Sequence, residues 1–318
     1  MSRRFILISA LLVSVMVWQA LPAGAAEFPD KPITLVVGFG PGGMTDVCSR
    51  LFADKMEEFL GQKVIVENKP GAGGYKALKS VLDGPADGYT FVSCSTSTAA
   101  STQLLDRPIA SEKIGLLGSF MRQERVLFAR KDAPFKTFDE LIKYSKKTPV
   151  TFAGGGSMWA ARVVEAMAKE LKLKIRIVPF RSGSEGSAAI LGGHVTLAET
   201  GVGTGAWQSA RKGGLNVVAV LTDGDLKEFG FPEVKSIKDY GVTYFARLFF
   251  GFALPAGVPE ERRQKLEDAL KHAVEHPDVV KKMKKLDLKP QFLSAKDYRP
   301  IVDAVLKEAA ELATYLKK

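Results

Sequence analysis

The sequence predicts an α/β protein of two lobes, each a mainly parallel sheet flanked by helices, with a ligand cleft between them. Three observations lead there. Strand and helix patterns alternate from Ile33 to Ser93 and again from Val150 to Leu221. Each stretch contains a glycine-rich strand-to-helix turn, at 38–43 and at 154–157. No low-complexity linker separates the two stretches, so short crossing strands are expected to join the lobes. A βαβαβ order calls for parallel strands with helical crossovers.

Ser2-Arg3-Arg4, the apolar run Phe5 to Trp18 and the small residues of Pro22 to Ala26 read as an export signal over residues 1–26, cleaved near Ala25 or Ala26. The protein is therefore expected in the periplasm. Ile33 to Val37 is a buried-strand run. The following helix carries Val47, Leu51, Phe52, Met56, Phe59 and Leu60 on one face and stops at Gly61. Val64 to Val66 is the next strand, Pro70 to Gly74 leads into a second helix, and Asp87-Gly88 turns the chain into a strand from Tyr89 to Ser93.

The second lobe repeats the order. Val150 to Ala153 is a strand, followed by a helix through Leu171, a strand from Ile175 to Val178 and a helix near Ser187 to Leu191. Strands follow at Val195 to Ala198 and Val217 to Leu221. The C-terminal part is helical from Glu260 to His276 and from Tyr298 to Leu316, where Ile301, Val305, Ala309, Leu312 and Leu316 recur at helical spacing.

Composition narrows the function classes. A chain of 318 residues with 46% hydrophobic and 25% charged residues has the usage of a soluble globular protein of about two domains. Beyond the start, no apolar run is long enough to span a bilayer. Two cysteines cannot build a disulfide scaffold; Cys48 and Cys94 either pair in an oxidising compartment or lie buried as small hydrophobes. His272 and His276 lack a third metal ligand, Ser184 has no evident base, and His194 reads as a turn residue, so no metal, cofactor or catalytic group is expected. The net charge of +10 suits an anionic partner, yet Lys281 to Lys285 reads as a solvated helix face without interleaved aromatics, and nucleic acid is not expected.

The two glycine turns carry the chemistry. A strand-to-helix turn leaves the first helical N–H groups unpaired at the positive end of the helix dipole, and glycine lets an anion approach them closely. Thr45 adds a hydroxyl at the first turn and Ser157 an N-cap at the second. A competing reading exists. Gly38-x-Gly40-x-x-Gly43, with Glu67 ending the next strand, matches the dinucleotide fingerprint of a nicotinamide-dependent oxidoreductase. Asp46 would repel a pyrophosphate, Pro41 removes a donor, and export leaves nicotinamide pools behind.

Several ordered motifs then resemble one family. Phe28-Pro29-Asp30-Lys31-Pro32-Ile33-Thr34, Pro41-Gly42-Gly43-Met44-Thr45-Asp46, Val66-Glu67-Asn68-Lys69-Pro70-Gly71, Pro85-Ala86-Asp87-Gly88-Tyr89-Thr90, Val178-Pro179-Phe180-Arg181 and Ala253-Leu254-Pro255-Ala256-Gly257-Val258-Pro259 are similar to the tripartite tricarboxylate transporter receptors, the Bug solute-binding proteins. The resemblance implies a type II-like periplasmic binding protein that closes on a small organic carboxylate as a monomer and delivers it to membrane transporter subunits. A ligand sensor working through a signalling partner is the alternative. The resemblance also implies crossing strands near 125–129 and 249–254, one lobe from 27–127 plus 250–318, and the other from 128–249.

The implied site has two pincers. Gly42, Gly43, Met44, Thr45 and Asp46 form the first, with Phe39 beneath; Asp46 is expected to bond local backbone or water, because an acid beside a bound carboxylate is costly. Gly155, Gly156, Ser157, Met158 and Trp159 form the second. Arg181 offers a bidentate contact to a carboxylate. Ser95 and Thr96 offer hydroxyls, Thr200 completes the set, and Glu199 meets a polar group or faces solvent. Met44, Met158 and Trp159 make the entrance apolar, and with Phe249 they imply an aromatic or branched ligand.

Overall fold

The computed structural model describes residues 27–154, 157–180 and 182–318; the expected signal peptide and Gly155, Gly156 and Arg181 lie outside the described residues. The first lobe starts with β1 (Ile33–Val37), α1 (Met44–Leu60), β2 (Val64–Asn68), α2 (Tyr75–Leu82), β3 (Thr90–Ser93), α3 (Thr96–Leu104) and β4 (Ile114–Gln123). The second contains β5 (Arg125–Arg130), α4 (Phe138–Ser145), β6 (Val150–Gly154), α5 (Met158–Glu170), β7 (Ile175–Pro179), α6 (Gly183–Leu191), β8 (Leu197–Gly201), α7 (Gly205–Arg211) and β9 (Leu215–Val220). The chain then returns through β10 (Leu248–Pro255), α8 (Glu260–Glu275), α9 (Pro277–Lys284), β11 (Pro290–Leu293) and α10 (Ala295–Lys317).

Two mixed sheets result, ordered β11-β4-β10-β3-β1-β2 and β7-β6-β8-β5-β9. Within the first, β1 pairs in parallel with β2 and β3, as their helical crossovers require. The strands that carry the chain between lobes run the other way: β10 is antiparallel to β3 and β4, and β5 to β8 and β9. β4 and β5 are separated by Glu124 alone, and β5 lies wholly in the second sheet. The sheets therefore change at Glu124, a few residues before the expected boundary at 127.

Side-chain alternation along β1 divides the first lobe's core. Ile33, Leu35 and Val37 face a cluster with Phe52, Met56 and Phe252, whereas Val36 faces Leu78, Val92 and Tyr298. Cys48 belongs to the first cluster and Cys94 to the second, on opposite faces of the sheet. Both thiols are free and buried, and burial pushes each pKa up to about 12. The disulfide alternative is thereby excluded and the buried-hydrophobe alternative holds.

Helix α10 belongs to both lobes. Tyr298, Val302 and Leu306, four apart, pack into the first lobe's core, while Val305, Ala309 and Leu312 pack with Phe152, Val163 and Met167 of the second. The C-terminal segment assigned to one lobe by resemblance is thus shared between them. A second bridge lies after α9, where Asp287 accepts from Trp207 Nε1 at 2.9 Å and Arg211 Nη1 at 3.2 Å in the other lobe.

The N-terminus of α1 is closed by its own sequence. Gly42, at φ +75°, turns the loop so that its N–H donates to Asp46 Oδ2 at 2.9 Å. Asp46 Oδ1 also accepts from Asn68 Nδ2 at 2.8 Å and Arg50 Nε at 3.1 Å. Burial by itself would raise the Asp46 pKa; Arg50, Asn68 and the Gly42 N–H outweigh it and hold the carboxyl below the ordinary aspartate value.

Two outcomes follow from this packing. In the native protein neither thiol should react with a water-soluble disulfide reagent, and both should react after unfolding in urea. Asp46→Ala should cost about 1–3 kcal/mol at pH 7 through the unmade bonds of Gly42, Asn68 and Arg50. Because the folded-state pKa of Asp46 is depressed, that stabilisation is present above the ordinary aspartate pKa and lost as pH falls through the folded value. The stability gap between wild type and variant, read from urea unfolding, should therefore shrink in acid.

Candidate functional site

The end of β1 and the loop before α2 touch backbone to backbone. A Cβ on Gly38 would stand 2.7 Å from Gly74 Cα, so a side chain there would force the two turns apart. Phe39 lies beside Gly74, which in turn rests on Thr98 of α3. Gly73 faces Ser101 of α3 and, across the cleft, Met158 of the second lobe: a Cβ placed there would be 3.8 Å from the Met158 Cβ.

Helix α3 begins Ser95-Thr96-Ser97-Thr98-Ala99-Ala100-Ser101-Thr102, every residue of which is buried. Small residues let it sit close to its neighbours, and its hydroxyls find partners. Ser95 caps the helix by accepting the Thr98 N–H at 3.1 Å, and Ser101 and Thr102 donate back to the carbonyls of Thr98 and Ala99. Thr96 Oγ1 donates to the Arg247 carbonyl at 2.9 Å and accepts the Phe249 N–H at 3.0 Å, which ties α3 to β10.

Ser97 reaches the other lobe. Its Oγ lies 2.9 Å from Oγ of Ser157, the N-cap of α5. Both residues are buried, at 6% and 7% exposure. Ser157 Oγ also accepts the Ala160 N–H at 3.1 Å. Two hydroxyls own two hydrogens and the shared bond uses one, so the pair has one hydroxyl hydrogen left to give.

The helix ends differ in charge. Acids stand in the first turns of α1, α4, α6, α8, α9 and α10, where each partly neutralises its own helix end. Among described helices of eight or more residues, α2, α3 and α5 have none. These are the three whose N-termini gather where the lobes touch, capped by Gly74, Ser95 and Ser157.

Phe39, Ser95, Ser157 and Met158, expected at the site, lie in this region, and Thr96 lies beside it with its hydroxyl already committed. The contacts of the α1 residues are local, and Asn68 Nδ2 ties Asp46 to the Phe39 carbonyl. Gly42 is exposed with its N–H taken by Asp46, Gly43 and Thr45 are half-buried, and Met44 turns toward the first core, where its Sδ lies 3.8 Å from Cys48 Sγ. Asp46 bonds local backbone, as expected.

Other expected groups lie apart from an apolar entrance. Trp159, expected there, is 1% exposed in the second lobe's core, because the core-facing stripe of α5 begins at that residue. Phe249 packs 6.5 Å from the Tyr298 ring with Arg122 over its own ring at 5.8 Å. Thr200 lies buried within β8 opposite Val126. Glu199 does not face solvent: it is 3% exposed and pairs through Oε2 with Nε (2.9 Å) and Nη2 of Arg125. Gly155, Gly156 and Arg181 lie outside the described residues.

Gly73, Gly74, Ser97, Thr98 and Ser101 were not singled out by sequence. Their signal is the run of hydroxyl residues following β3, which extends beyond Ser95 and Thr96. At the crossover beneath, Arg122 joins Glu124 Oε1 at 2.8 Å and Asp223 Oδ1 at 3.0 Å, and Arg247 Nε meets Asp223 Oδ2 at 2.9 Å. Burial would raise the Asp223 pKa, but Arg247 and Arg122 hold it below the ordinary value.

Comparison with known proteins agrees with this architecture. The family model for the tripartite tricarboxylate transporter family receptor matches residues 48–315. A UPF0065 protein encoded in the gbd 5′ region of Cupriavidus necator is 32% identical over 92% of this chain and 90% of its own. BugT of Bordetella pertussis is 28% identical over 82% of each chain. Among solved structures, the periplasmic binding protein BugD superposes with a TM-score of 0.79 at 23% identity, covering 91% of this chain and 99% of that one. MatC of Rhodopseudomonas palustris with bound malate gives 0.79 at 24% identity, over 90% and 100%. The two-lobed architecture is theirs, and the chain belongs to the tripartite tricarboxylate transporter receptor family of Bug solute-binding proteins.

Proposed function

We propose that the protein is an extracytoplasmic receptor that binds a small organic carboxylate between its lobes and delivers it to the membrane subunits of a tripartite tricarboxylate-type transporter. One observation carries this reading. Three of the helix ends that lack an acid meet at the cleft, and a serine pair links two of them across it. Such ends attract an anion with backbone N–H groups. Receptors of the same fold have been solved with malate and with adipate, which supports a carboxylate as the anion.

The reading moves the first lobe's share of the grip from α1 toward α3. Asp46 already supplies α1 with a carboxylate, whereas α3 has none and faces Ser157 directly. Met44, Trp159 and Phe249 belong to three different hydrophobic clusters, so they do not together support an aromatic ligand. Two to four charge-assisted hydrogen bonds of about 1.5–3 kcal/mol, with helix-end terms of about 0.3–1 kcal/mol, suffice for micromolar affinity near −8 kcal/mol after association costs.

Titration calorimetry of the mature protein with a panel of mono- and dicarboxylates should give heat with at least one; silence across the panel would remove the proposal. Ser97→Ala should weaken that binding about tenfold while the protein stays folded. Gly43→Leu separates the two helix ends: its Cβ has room, 3.6 Å from the Gly40 carbonyl oxygen. Affinity kept in Gly43→Leu and lost in Ser97→Ala would assign the grip to α3; the reverse result would return it to α1.

A further inference from the structure

Helix α9 carries more positive charge than its own end can use. Lys281, Lys282 and Lys284 stand in its last turn, and Lys285 follows as the C-cap residue. A cation there complements the negative end of the helix dipole. The other described helices of eight or more residues that use this device do so with one basic residue each: Lys79 in α2, Lys143 in α4, Lys169 in α5, His272 in α8 and Lys317 in α10. Lys281 and Lys285 are moreover four apart, a spacing at which like charges on a helix repel.

The charge is unanswered within the protein. All four lysines are exposed, as a solvated helix face requires. Among the described residues none of them forms an ion pair, while two acids beyond the helix end are engaged elsewhere: Asp287 with Arg211 at 3.2 Å and Glu228 with Lys289. Val279 and Met283, four apart, turn into the first lobe's core, so the lysines project from the opposite side of the helix. Val280 and Leu286, immediately before and after the run, are large apolar side chains at 39% and 38% exposure. The surface is thus a cluster of free ammonium groups flanked by two exposed apolar side chains.

We propose that this face of α9 docks the protein on a bilayer that contains anionic phospholipid. Such a surface attracts clusters of lysine without demanding a fixed geometry, and each lysine held near it strengthens binding about fivefold. The lysine stems lie along the headgroup region with their ammonium groups at the phosphates, and Val280 and Leu286 reach the apolar layer beneath. An acidic protein fits this face less well, because protein interfaces favour aromatic side chains and arginine over lysine, and the run 280–286 holds neither. The docking face is separate from the carboxylate site and does not rest on the receptor reading above. For a receptor that works beside membrane subunits, it would confine the search for them to two dimensions.

The test sediments the mature protein with vesicles of phosphatidylcholine alone or mixed in equal parts with phosphatidylglycerol. Binding should appear with the mixed vesicles only and fall as salt is added. The combined variant Lys281→Gln, Lys282→Gln, Lys284→Gln and Lys285→Gln should bind at least about a hundredfold more weakly, with its thermal unfolding transition retained. A control of equal net charge, Lys136→Gln, Lys143→Gln, Lys146→Gln and Lys147→Gln, removes four exposed lysines in and around α4 and should bind as the wild type does. Leu286→Ser should weaken binding to the vesicles several-fold and leave binding to soluble polyglutamate unchanged. No binding to the mixed vesicles, or equal loss in the two four-site variants, would overturn the proposal. Tighter binding to polyglutamate than to the vesicles, at equal concentration of anionic groups, would also overturn it and assign the face to an acidic protein. Carboxylate binding by calorimetry is read separately, so each of these failures leaves the receptor reading standing.

Discussion

The unpaired N–H groups at a helix start are the constraint around which this molecule is arranged. Every helix must settle them with a cap, an acid, water or a ligand. Six helices here use an acid in their own first turn, and α1 folds its glycine loop back onto Asp46 to do so. The three that border the cleft use only a serine or a glycine. The difference is local in sequence and collective in space, because parallel strands deliver successive helix starts to one edge of each sheet. What α2, α3 and α5 lack individually becomes one electropositive region when the lobes are side by side.

Much of the architecture is legible in the sequence. The alternation of strand and helix signals places β1, β2, β3, β6 and β7 within a residue or two, since each is a short run rich in β-branched residues. β4 was not legible as a strand. Its sequence, Ile-Gly-Leu-Leu-Gly-Ser-Phe-Met-Arg-Gln, is buried on both faces and shows no alternation. The strand pattern at 195–198 ends at Ala198, whereas β8 continues through Gly201 and buries Glu199 and Thr200.

The site was legible in kind and less so in detail. Glycine turns and a serine N-cap mark where an anion can approach, and Phe39 and Ser157, at two such signals, lie where the lobes touch. Which helix of the first lobe opposes Ser157 depends on how the lobes pack, and no local pattern encodes that. Trp159 shows the same limit: its position in the first turn of α5 suggested an entrance, whereas the helical stripe it opens, with Ala160, Val163, Val164 and Met167, turns it inward. At Gly74 a Cβ would stand 3.0 Å from the Thr98 side chain, so the glycine lets that loop sit close against α3.

Helix α10 donates one stripe of side chains to each lobe's core, with Leu306 on one side and Leu312 on the other. Losing that helix strips apolar cover from both cores at once. Heat absorption on unfolding should therefore appear as a single cooperative peak, although the chain crosses between sheets at Glu124 and again before Leu248 in a way that would otherwise suggest two independent transitions.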